Sequence, residues 1–421
     1  MQDARDTLTG NAHVATVSFL AARAAPSFGF WVALAGGLAL ARAALRRGLR
    51  AGYGASAAAM LETVAIMGPA RFSIPLTQAV TAPMMGRLEG RGVRAFGQFL
   101  ACSAVRFVLS VAGTAFFVFV ILGGFDAYAG SYNWFLRLLP GSPDGTGVVL
   151  ALTALSIVSW VVFASAVQTV VYRRGLRLWR FGVGGGGPAA GCPPSAALRE
   201  HAPGGHPRRA VAHRSPARFD PRAIAGAAAI AFAVLLASTR WPVLAGVALW
   251  LAVAWAVSPR EPDVIRTGLV FAVLLGVGAV VAGLVSGLGA DVAVRRGVRA
   301  LLLVGVATWL RSAAGENGLR TVFHRSLWRL RRVPGAVEAA GVLDELDSGR
   351  RLQSAGRSLL DSLRGVRRRP VPVTDAIVGW VMRESAHYEA GAVAPVRLAV
   401  RWRDGALVAV AAAPLALLFG G

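Results

Sequence analysis

Lysine is absent from this sequence: all 45 basic residues are arginine, set against 21 acidic ones for a formal net charge of +24. Without lysine there can be no Gly-rich phosphate loop ending in Lys-Ser/Thr, so any ATP hydrolysis must come from a separate subunit. Charge is scarce altogether, at 16% of the 421 residues against 55% hydrophobic, too little to cover a soluble protein of this size. Cysteine is limited to Cys102, in an apolar run, and Cys192, in a Gly/Pro-rich stretch, a spacing that supports neither a disulfide framework nor a zinc site. No Ser/His/Asp set or carboxylate pair stands out, so no catalytic residue is assigned and the chain is expected not to be an enzyme. The N-terminus, Met1 to Pro26, mixes acidic and basic residues around a short apolar stretch, unlike a secretory signal peptide.

What is present is a series of long uncharged runs. In lipid the backbone must satisfy its own hydrogen bonds, which leaves helices or closed barrels, and continuous rather than alternating apolar runs select helices. The predicted fold is therefore all-α, a polytopic integral membrane protein with a cytoplasmic helical region. The arginine clusters close apolar runs, a position that fits cytoplasmic loops and attraction to anionic lipids rather than nucleic acid, which is not an expected partner. All-arginine usage beside abundant Ala, Gly and Val is read as the coding bias of a GC-rich genome, and the expected location is a bacterial cell membrane.

Three regions follow. Residues 1–181 form an N-terminal membrane domain of three to five apolar segments: Phe28 to Leu45, Gly54 to Met85, Ala95 to Leu122 and Val148 to Val171. Pro69, Pro75 and Pro83 make the second a broken hairpin, which either spans or re-enters. The aromatic loop Gly123 to Gly147 is expected outside. Residues 182–218, rich in Gly, Pro, His and Arg, are predicted to be a disordered linker. Residues 219–421 hold two tight pairs of apolar runs, a cytoplasmic stretch over 311–403 whose leucines Leu343, Leu346, Leu352, Leu359 and Leu363 recur at mostly helical intervals, and a final apolar run.

Within the apolar segments, Glu62 is a costly carboxylate, and Ser73, Thr77, Gln78 and Thr81 recur at helix-like spacing after it. With the prolines, Glu62, Ser73, Thr77 and Arg106 make a candidate intramembrane polar site of the broken-helix type that transporters use. Two alternatives stand for Arg106, neutralising Glu62 or snorkelling to the basic side, and Glu62 is alternatively on an interfacial helix facing water.

The second half resembles the transmembrane T component of energy-coupling factor importers, the group that includes the cobalt-transport permease. The resemblance covers about residues 219–421: Arg218-Phe219-Asp220-Pro221-Arg222 before the first span, two helical hairpins, then Leu327, Leu330, Val333, Pro334 and Glu338, and finally Val396 to Asp404 before the last run. It implies a scaffold that relays ATPase motion in the uptake of cobalt or a vitamin, with ABC-type ATPase subunits and a substrate-binding membrane subunit as partners. The family carries Ala-Arg-Gly signatures on two cytoplasmic helices; here the first place reads Ser348-Gly349-Arg350-Arg351 and Ser354-Ala355-Gly356-Arg357, the same residue types rearranged, and the second, Met382 to Gly391, has no such tripeptide. Because the rigid arginine fork binds carboxylates and carbonyls directionally, Arg350, Arg351, Arg357 and Arg364 are the candidate ATPase-coupling residues; the alternative is a solvated basic face over anionic lipid. His201, His206, His213 and Cys192 have no compact spacing, so neither metal nor cofactor is expected. A different class of function, a non-transporting scaffold or sensor that recruits cytoplasmic partners, also fits this pattern.

Overall fold

The described residues of the computed structural model are 2–24, 29–68, 76–122, 124–136, 145–180, 219–258, 261–287, 289–346, 350–367, 369–386, 388 and 398–419. The 182–218 linker and its histidines lie outside them. Among the described residues every regular element is a helix, and the protein is an all-α polytopic membrane protein.

The described residues form fifteen α-helices: α1 Gln2–Ala24, α2 Gly29–Arg47, α3 Leu49–Met67, α4 Leu76–Gly90, α5 Ala95–Phe116, α6 Phe125–Leu136, α7 Thr146–Arg180, α8 Pro221–Ala237, α9 Trp241–Val257, α10 Pro262–Val285, α11 Ala290–Arg329, α12 Ala336–Glu345, α13 Arg350–Leu363, α14 Pro370–Ala386 and α15 Trp402–Phe419. Starts have local causes. Proline occupies the first turn of α8, α9 and α10, where its missing N–H costs nothing, and the Asp220 side chain caps α8 by accepting from the Arg222 N–H. The 123–147 stretch, expected as a loop, contains α6, which follows a π-helical turn at Phe117–Ile121. The 54–85 segment forms two helices, α3 and α4, held together where Ser56 Oγ donates to the Ala79 carbonyl at 2.6 Å.

Five helices among the described residues are long and apolar enough to cross a membrane: α2, α5 with the start of its π-turn, α7, α10 and α11; α8 and α9 are shorter apolar helices. Their surfaces differ. Large apolar side chains stand exposed along α5 (Phe107, Val111), the first half of α7 (Leu155, Trp160) and α10 (Leu269, Leu274). Facing water, each would forfeit on the order of 25 cal/mol per Å², so these faces suit lipid. Helix α2 is instead enclosed by α1, α3, α4, α7 and α14, and α1–α4 expose only Leu49 and Leu76 among the large apolar side chains described. Helices α4 and α2 approach closely at Gly86: a Cβ there would fall 2.0 Å from the Ala41 carbonyl oxygen.

Among the described residues two large apolar cores result, beside a small cluster around Val118, Tyr128, Ala129 and Val149. One joins α1–α4, the second half of α7 and α12–α14; the other joins α8, α9, α11 and α15. Helices α12–α14, grouped by sequence with the second half, therefore bury their apolar faces in the first core. The stretch expected to be cytoplasmic from residue 311 begins within a helix, α11, which runs on to Arg329 and links the cores by touching α3, α8, α9, α10 and α12.

Candidate functional site

Helix α11 is interrupted at Gly315, whose backbone (φ 67°, ψ 168°) lies in a region essentially reserved for glycine. Buried charges flank the break on both sides. Beyond it, Arg320 makes a two-pronged bond to Glu62 of α3: Nε donates to Oε2 at 2.9 Å and Nη2 to Oε1. The Glu62 side chain is fully buried and that of Arg320 nearly so. Before the break, Arg311 donates from Nε to the Ile66 carbonyl at 2.8 Å, while its two Nη atoms lie 3.6 Å from Glu261 and 3.9 Å from Glu316. Neither carboxylate is within hydrogen-bond distance, and among the described residues Arg311 Nη1, Glu316 Oε1 and Arg320 Nη1 have no hydrogen-bond partner. The result is a line of five alternating charges, Glu62, Arg320, Glu316, Arg311 and Glu261, bonded firmly at one end and loosely at the other.

A cavity of about 210 Å³ adjoins the loose end, between the close of α3, the start of α10 and α11; Gly68, Asp263, Thr267, Phe271, Thr308 and Arg311 contribute to its wall. Glu62 thus lies beside the break in α11, with its partner Arg320 from the second half of the chain.

Arg106 is not Glu62's partner, nor does it reach a solvated surface. It is buried between α5 and α7, where Nη2 donates to Gln168 Oε1. Gln168 Nε2 donates on to Thr81 Oγ1 at 2.8 Å, and the Thr81 hydroxyl donates to the Thr77 carbonyl at 2.7 Å. Thr77 therefore enters a second cluster through its backbone, and Ser73 lies outside the described residues. Of the four residues grouped by sequence, Glu62 falls in one network while Arg106 and Thr77 fall in another.

On α13, Leu352, Ala355, Leu359 and Leu363 are buried, while Arg357 and Arg364 are exposed; Arg364 Nη1 lies 3.1 Å from Asp361 one turn before it. Arg350 and Arg351 open this helix, and their side chains lie outside the described residues. The helix is amphipathic as its leucine spacing predicts, with Arg357 on the open face.

Three constellations have little sequence signal. Arg311 and Arg320 look like ordinary boundary charges, although Glu316 and Arg320 stand four apart on one helical face. On α1, Thr9 Oγ1 donates to Glu345 at 2.5 Å and His13 Nε2 lies 3.4 Å from Glu384 of α14. At the start of α8, buried Asp404 accepts from the Asp220 N–H at 2.8 Å and the Arg401 N–H at 2.6 Å. Asp220 in turn is bonded by Arg222, which holds its carboxyl below the usual aspartate range. The two stretches that carry the resemblance, Asp220-Pro221-Arg222 and Arg401 to Asp404, are thereby in direct contact.

No family model, curated protein or solved structure matches this chain.

Proposed function

We propose that this chain is the membrane-embedded coupling subunit of an importer of the energy-coupling factor type, taking up a small nutrient such as cobalt or a vitamin. Separate ABC-type ATPase subunits would dock on the arginine face of α13, and a substrate-binding membrane subunit would lean on the apolar helices. The observation that carries this reading is α11: it runs from the lipid-facing bundle to α12, the helix that precedes arginine-bearing α13, with a glycine break and unequal ion pairs at its middle. Movement of α12, packed on both α3 and α11, would tilt the segment after Gly315, where the loosely held Arg311 and Glu316 can exchange partners more cheaply than Glu62 and Arg320. Interiors respond to such shifts by switching between discrete packings.

The test is co-purification of the gently solubilised full chain with ATPase subunits from its own cells. Changing both Arg357 and Arg364 to Ala should reduce ATPase affinity by about a hundredfold or more, since charge-assisted arginine bonds contribute about 1.5–3 kcal/mol each and about 1.4 kcal/mol is tenfold, while leaving membrane insertion intact. Unchanged recovery rejects this docking face. If the unmodified chain brings down no ATPase, the non-transporting scaffold becomes the better reading.

A further inference from the structure

Helices α9 and α15 leave between them a slot of about 260 Å³, walled chiefly by Trp250, Val253, Val257, Ala406 and Val410 and ending at Arg403. Its chemistry is one-sided: the wall is apolar along its length, and charge enters only at the mouth. Trp402 marks that mouth, 79% exposed, with the Arg403 guanidinium 5.6 Å from its ring centre. Exposed tryptophan beside arginine is the composition of a membrane–water boundary, where an indole lies among headgroups and a guanidinium meets phosphate.

The nearby acids do not neutralise this end. Asp404 is buried and turned inward onto two backbone N–H groups, and Asp220 is taken by Arg222. Arg401 and Arg403 are exposed, and among the described residues neither pairs with a carboxylate. A basic mouth over an apolar slot has the polarity of a phospholipid lying against the protein.

We propose that the α9/α15 slot holds one acyl chain of an anionic phospholipid whose phosphate is bound by Arg403, with Arg401 beside it. Size argues against a protein occupant, because a helix with its side chains is about 10–12 Å across, whereas the slot admits a single chain. The lack of polar groups along the wall argues against a soluble metabolite. Headgroup selectivity then comes from the mouth and retention from the wall. This site is independent of any ATPase partner.

Native mass spectrometry of the delipidated full chain, titrated with phosphatidylglycerol or phosphatidylcholine of identical chains, tests this. The first bound lipid should favour phosphatidylglycerol about fivefold, as one interfacial arginine provides. Arg403→Gln should abolish that preference, and Arg87→Gln, at an exposed arginine on α4, should leave it unchanged. Val410→Trp, which fills the slot, should weaken the first binding event for both lipids. Equal binding of the two lipids by the unmodified chain overturns the anionic headgroup. Unchanged binding in Val410→Trp overturns the slot, and an equal loss of preference in Arg87→Gln and Arg403→Gln reduces the effect to general attraction by a basic surface.

Discussion

Glu62 and Arg320 meet across 258 positions of sequence in a bundle interior where either charge alone would be costly. A buried pair and an apolar pair of similar volume are often close in stability, or the apolar pair is favoured by about 1–4 kcal/mol, whereas one charge left without its partner loses about 3–5 kcal/mol. Glu62→Gln should therefore lower the stability of the detergent-solubilised protein by roughly that larger amount. The double variant Glu62→Leu with Arg320→Met should recover most of it. Equal thermal unfolding midpoints for the single variant and the original chain would mean that the pair is not formed. The asymmetry also bears on function: a chain retaining two buried charges where leucine and methionine would serve stability equally well points to a use for the charges themselves.

At the scale of the element, glycine separates two kinds of helix. Gly315 of α11 is held at φ 67°, with open space where a Cβ would go, so a side chain there meets backbone strain rather than a clash. The strain amounts to about 1–3 kcal/mol, and Gly315→Ala should destabilise the protein by that much or straighten α11 and pull Arg311 and Arg320 out of register. Gly278, in the unbroken α10, also has open space but without positive φ. Gly278→Ala should be neutral or stabilising by up to about 1 kcal/mol, since alanine is the better helix former. Unfolding measurements showing the same sign for both substitutions would remove the distinction between a hinge and an ordinary helical glycine.

At the scale of the molecule, the 182–218 stretch divides the sequence without dividing the packing. Helices α12–α14 complete the core built on α1–α4, and α11 joins that core to α8, α9 and α15. Residues 1–181 and 219–421 co-expressed as separate chains should therefore remain associated, a tag on one retrieving the other from detergent. Recovery of the tagged piece alone would show that each half closes its own core. This arrangement also explains why the arginines of α13 have a defined direction: four apolar side chains on the opposite face hold the helix down.

The positions of the long apolar helices were legible along the chain, because an apolar run of sufficient length, closed by arginine, glycine or proline, has one low-energy backbone in lipid whatever surrounds it; α1, α6 and the extension of α11 to Arg329 were not. The amphipathic character of α13 was equally legible from Leu352, Leu359 and Leu363. The membership of the polar clusters was not. Glu62 reads as a lone carboxylate with Arg106 as one candidate partner, yet Arg106 turns to Gln168 and Glu62 to Arg320. Helix α1 carries Thr9, His13 and Thr16 and looks exposed until α12, α13 and α14, arriving more than 300 residues later, cover it. Periodicity and hydropathy act over one helix, so local order sufficed to establish an all-helical membrane protein. Charge pairing depends on which helices become neighbours, and that is a property of the packed bundle alone.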